Sequence, residues 1–168
     1  MNLSDITKIN FGSAGISAVY NGGIKLWPKG ADNGLYIYYT TTGTPRVTAK
    51  VGGTAIDCTV EQNQAKINTD AVSDISIFIN DVSMTEFKGF SKKVTLSSLE
   101  FSTDTLSSIT LGNFAISTDD FILTGSASTV TINCADVDDA SKTHIQAGVT
   151  NQGGTYSWSG DIMTVTFA

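Results

Sequence analysis

Residues able to do acid–base or covalent chemistry are thinly spread along this chain. There is one histidine, His144, and a general base needs an oriented partner and a nucleophile within hydrogen-bond reach. No serine sits in a strained nucleophile-elbow pattern, and no motif surrounds Cys58 or Cys134. Those two cysteines lie 76 positions apart with no second pair, which is not metal-ligand spacing. They are expected as buried thiols serving as small core residues, since a disulfide is out of place in a cytoplasmic product. Asp136, Asp138 and Asp139 form one acidic group and Asp119-Asp120 another. Calcium would need an ordered run of ligands with a closing Glu, so helix capping and turn formation are the expected roles. Two carboxylates could also serve a glycosidase, but their separation is not readable from sequence. No glycine-rich loop leads into a helix with Lys-Ser or Lys-Thr, so no phosphate cradle is indicated. The expectation is a non-enzymatic chain with no metal and no cofactor.

Aromatic residues are the other chemistry available. Tyr36 and Tyr38 fall on one face of a strand, and Tyr156 and Trp158 on one face of another. Core packing is one reading. An exposed aromatic binding face over Tyr36, Tyr38, Tyr156 and Trp158, for a protein or a sugar, is the other.

These residues must be positioned mainly by strands. The chain has 168 residues, enough for one medium domain or two small ones. Its charged share of 15% is low, and Ser and Thr fill the gap at about a quarter of the chain. That composition favours strands and turns. The net charge of −6 argues against a nucleic-acid partner, which calls for a basic face. No apolar run has the length of a membrane span. Met1-Asn-Leu-Ser-Asp5 lacks the basic start and apolar stretch of a secretory leader. The chain is therefore expected to be made in the cytoplasm.

Residues 1–30 carry one short pattern three times: Ile6-x-x-Ile9-x-x-Gly12, Ile16-x-x-Val19-x-x-Gly22 and Ile24-x-x-Trp27-x-x-Gly30. It predicts a small β-meander, with a hairpin around Asn21-Gly22-Gly23. Pro28 to Gly34 is rich in breakers and reads as a linker. The body, 35–168, divides into a hairpin region over 35–69 and a Ser/Thr-rich strand region over 72–168. A second quasi-repeat runs through the latter, in Val72-x-x-Ile75-x-Ile77, Leu96-x-x-Leu99-x-Phe101, Leu106-x-x-Ile109-x-Leu111 and Ala127-x-x-Val130-x-Ile132, with a weaker member from Val82 to Phe87. The starts are separated by 10, 14, 10 and 21 positions. A solenoid asks for a near-constant period, so an antiparallel β-sandwich-like body is preferred. The strand half of leucine-rich repeats is kept as a fallback. One short helix is expected near 139–147, capped by Asp138 or Asp139 and ended by Gly148. Overall the fold class is all-β.

The opening segment, Ile6-Thr-Lys-Ile-Asn-Phe-Gly-Ser13, Ile16-Ser-Ala-Val-Tyr-Asn-Gly-Gly23 and Lys25-Leu-Trp-Pro28, resembles a recurrent N-terminal segment of structural proteins of tailed phages of gut bacteria, crAss-like phages included. The resemblance covers about thirty residues. It implies a virion component, of the tail, a fibre or head decoration, whose N-terminal β-unit precedes a variable β-rich body. On that reading the partners are other virion proteins and copies of the chain itself, and the location is the virion. Ile16, Val19, Tyr20, Leu26 and Trp27 are the expected docking surface. The alternative is a carbohydrate- or receptor-binding β-module that meets a host surface.

Overall fold

The computed structural model describes residues 9–11, 14–16, 19–21, 24–27, 33–125 and 127–168. The chain separates into two compact units, Met1–Asn33 and Gly34–Ala168. In the first, β1 (Ile9–Phe11) pairs antiparallel with β2 (Ala14–Ile16), and β3 (Val19–Asn21) pairs antiparallel with β4 (Ile24–Trp27). Among the described residues these are two two-stranded ribbons. The hairpin expected around Asn21-Gly22-Gly23 corresponds to β3–β4, and its two glycines lie outside the described residues.

The second unit begins with β5 (Leu35–Thr41), β6 (Arg46–Val51), β7 (Thr54–Ile56), β8 (Cys58–Val60) and β9 (Gln64–Ile67). It continues with β10 (Ile75–Asn80), β11 (Met84–Phe90), β12 (Val94–Ser102), β13 (Ser108–Thr110), β14 (Phe114–Ile116), β15 (Phe121–Thr124) and β16 (Thr129–Asn133). Helix α1 (Asp139–Asn151) and the hairpin β17 (Thr155–Ser159) and β18 (Ile162–Thr166) complete it. One sheet has the order β17-β18-β16-β13-β11-β5-β9-β8. The other runs β12-β10-β6-β7, with β14 and β15 both on the outer side of β12.

The body is all-β with one short helix, but its sheets are mixed, which corrects the antiparallel expectation. From β10 to β16 the chain alternates between the sheets, and each strand pairs in parallel with its counterpart one turn earlier. β12 lies beside β10, β13 beside β11, β14 and β15 beside β12, and β16 beside β13. This central part is a two-sheet coil of three turns. The registers Ile77↔Leu99, Phe87↔Ile109 and Leu99↔Phe121 each advance 22 residues, and Ile109↔Ile132 advances 23. The corner positions Asp81, Thr103 and Gly125 repeat the same step. There the Asp81 amide donates to the Ser102 carbonyl and the Thr103 amide to the Thr124 carbonyl. Antiparallel strands bound the coil on both sides, through β5, β6, β7, β8 and β9 at one end and β17 and β18 at the other.

Alternation drives the core. In β10 Ile75, Ile77 and Ile79 are buried, and in β12 so are Leu99 and Phe101, as a half-buried strand requires. Phe rings bridge the two sheets: Phe87 on β11 stands edge-on to Phe101 on β12 at 5.1 Å, and Phe90 on β11 stacks on Phe114 of β14 at 5.9 Å, while Phe101 meets Phe121 of the neighbouring strand β15 edge-on at 6.3 Å within its own sheet. Such pairs add about 1 kcal/mol each beyond area burial. At the first corner the buried Asp81 carboxylate accepts from the Ser83 amide at 3.0 Å, the Ser83 hydroxyl at 2.9 Å and the Thr41 hydroxyl. That satisfies a buried charge with three donors.

The helix starts where the sequence places it. Asp138 is the N-cap, and its carboxylate accepts from the Ser141 amide at 2.7 Å. It runs past Gly148 to Asn151, which corrects the expected end. Gly148 is buried, and a Cβ there would lie 2.6 Å from the Phe121 carbonyl and 2.7 Å from that of Asp119. Its missing side chain lets the helix approach the last turn of the coil. Two helix-side residues then satisfy the outer strand edge. The Ser141 hydroxyl accepts from the Ile116 amide at 3.0 Å. The Gln152 amide group accepts from the Leu123 N–H at 2.8 Å and donates to the Phe121 carbonyl at 2.8 Å.

Candidate functional site

The candidate docking residues fall on the N-terminal ribbons: Ile16 ends β2, Val19 and Tyr20 lie in β3, and Leu26 and Trp27 in β4, with Val19 opposite Trp27. Their side chains lie outside the described residues.

The four candidate aromatics occupy one sheet but two different faces. Leu35, Ile37 and Tyr39 of β5 point into the core, which turns Tyr36 and Tyr38 outward. Their rings stack nearly parallel, 10° apart in plane and 6.5 Å between centroids, and Tyr38 is 37% exposed. The Lys66 ammonium sits 5.9 Å from the Tyr36 centroid. Tyr156 and Trp158 of β17 pair with the buried Val165 and Met163 of β18, so they extend the core-side face beside α1. Tyr156 is 40% exposed and meets Gln146, while the Lys142 ammonium lies 5.9 Å from the Trp158 ring. Five strand steps separate β5 from β17, about 24 Å at the usual interstrand spacing. Each pair is a separate surface. Tyr39, on the opposite face from its neighbours, gives its hydroxyl proton to the Glu61 carbonyl at 2.8 Å. Burial, then the Asp81 and Glu61 carboxylates, hold its phenol well above the ordinary range.

Among the acid–base candidates, His144 has a partner that its surroundings in sequence do not announce. Its Nδ1 lies 2.7 Å from Asp119 Oδ1, between α1 and the turn before β15. No hydroxyl or thiol is hydrogen-bonded to His144 among the described residues. Asp138 caps the helix, and no group of three His, Cys, Asp or Glu converges as a metal site among the described residues. Both cysteines are free. Burial pushes the Cys134 thiol up to about 11 and raises that of Cys58, which is only half-buried.

One cavity escaped the sequence reading. It opens on the outer face of β6, β10 and β12, holds about 280 Å³, and is lined by Thr48, Lys50, Ser76, Phe78, Ser98 and Glu100. The register shift between Ile75 and Ser76 lies beside it, where Ser76 and Ser97 share a hydrogen bond of 3.0 Å. No local pattern flags it, because its lining comes from three strands far apart in sequence.

Comparison with protein-family models, with curated proteins and with solved structures returns no match.

Proposed function

We propose that this chain is a non-enzymatic structural component of a tailed-phage virion, joined to the particle through residues 1–33 and presenting the coiled β-body. The observation that carries this reading is the division at Asn33/Gly34, with a large core in the second unit and four strands of three or four residues in the first. Two-stranded ribbons that short cannot bury both faces alone, so a partner surface is the natural place for their apolar repeat. The resemblance of Ile6–Pro28 to virion N-terminal segments supplies the identity of that surface. Protein mass spectrometry of purified particles tests it: the chain is expected as a fixed-stoichiometry component of the particle. Its presence in infected cells but absence from particles would sink the proposal.

A second reading, a glycan- or receptor-binding module, draws support from the stacked, outward Tyr36–Tyr38 pair. It requires that glycan-array binding be seen and be lost in Tyr38→Ala. No binding by the native chain would remove this reading.

A further inference from the structure

The two sheets of the body have four terminal edges, and an unpaired edge is a template for another strand. The β14/β15 edge is sealed by Ser141 and Gln152. β7 and β8 are three residues each, joined through Asp57 and followed by Glu61. Short length and nearby charge are the usual defences of an edge. β17 is longer and carries no charge of its own, and the charges nearest to it, Lys142 and Asp161, are paired with each other at 3.3 Å. It is five residues long, Thr155-Tyr-Ser-Trp-Ser159, with no charge, no proline and an unbroken register to β18.

Hydrogen-bond parity says what this edge offers. The two-residue turn at Gly160-Asp161 closes on the pair Ser159↔Ile162, which in such a hairpin is a hydrogen-bonded pair. Ser157 and Thr155 therefore also bond inward to β18. The N–H and C=O groups of Tyr156 and Trp158 point outward, away from it. Two outward residues spaced two apart are self-complementary about Ser157.

Charge selects the occupant. The chain is acidic, with eight Asp and Glu against the single Lys142 over residues 100–168, so copies repel over most of that region. The strands β16, β17 and β18 carry no charged residue. Asp161, at the turn, is paired with Lys142 at 3.3 Å. The β17 edge is the neutral stretch along which two acidic copies can meet.

We propose that β17 is a self-association edge, across which two copies pair antiparallel about Ser157 and join their larger sheets into one. In that register Tyr156 of each copy exchanges two hydrogen bonds with Trp158 of the other, and their rings become a cross-strand aromatic pair. Ser157 faces Ser157. The proposal concerns the body alone and does not rest on the particle role of residues 1–33.

The full chain is expected to run in light scattering at twice its 17.7 kDa mass. Ser157→Lys and Ser157→Asp place like charges opposite one another, so each is expected to be a folded monomer whose cooperative thermal transition does not depend on protein concentration, unlike that of the native chain. Mixing the two restores the dimer. Amide exchange gives a readout without substitutions: protection of the Tyr156 and Trp158 amides should rise with protein concentration. A native chain that stays monomeric, a dimer indifferent to both substitutions, or concentration-independent fast exchange at these two amides would overturn the proposal. None of those results touches particle attachment, which is read from purified virions.

Discussion

At Gly148 a single methyl group decides whether the helix can seat. In an ordinary helix interior Gly→Ala stabilises by about 1 kcal/mol. Here the new Cβ would meet two backbone carbonyls at 2.6 and 2.7 Å, so Gly148→Ala is expected to destabilise by about 1–3 kcal/mol in denaturant unfolding. A stabilised variant would contradict the close approach. At the other end of the helix, the Asp138 carboxyl is held below its usual value by the Ser141 amide, against a smaller opposing effect of burial. A depressed folded pKa means the cap contributes fully above the unfolded carboxylate range and fades as pH falls through the depressed value. Asp138→Ala is therefore expected to cost about 1 kcal/mol at neutral pH, with the gap to the native chain closing in acid. Thermal melts of both proteins across pH check this. The thiols separate in the same manner. Cys58 should alkylate in the folded chain, whereas buried Cys134, with its thiol pushed up to about 11, should label only on unfolding.

At the scale of elements, the last turn of the coil depends on side chains acting as a substitute strand. Gln152 makes three hydrogen bonds, to Leu123, Phe121 and Gly148. Gln152→Ala is expected to cost about 1–3 kcal/mol and to speed amide exchange at Leu123 while leaving β10 protected. Equal loss in both strands would mean that the edge is not sealed locally. Which elements form was legible, because alternation in Val47, Ala49 and Val51 or in Val130 and Ile132 reports a half-buried strand wherever it occurs. Neighbours were not legible. Alternation fixes the face a residue points to and is the same for parallel and antiparallel partners. The period itself was present but split. Quasi-repeat starts at 72 and 96, and at 82 and 106, both differ by 24 positions, while adjacent starts differ by 10, 14 or 21. The first turns contribute two strands, one per sheet, so the repeat shows in the sum of two spacings, and the longer step from 106 to 127 hides it because β14 and β15 both fall there. Gly148 misled for a related reason: a glycine in a helix reads as a stop, and only the strand packed against it shows that it is a contact.

For the molecule as a whole, the two units are assigned different work. The body buries an aromatic spine between its sheets and closes the coil with α1 at one edge, so it holds what a folded domain needs without residues 1–33. Aromatic candidates were readable as residues, yet Tyr36–Tyr38 and Tyr156–Trp158 face opposite sides of one sheet. Such a separation depends on strand order and lies beyond local sequence. The N-terminal repeat was the segment that pointed to a role, and the proposed division of labour rests on it. The most direct test supplies tagged full-length chain or a version starting at Gly34 during infection and purifies the particles. The account predicts that the shortened chain keeps the thermal transition of the body but is missing from particles, while the full chain is incorporated. Normal incorporation of the shortened chain would contradict it.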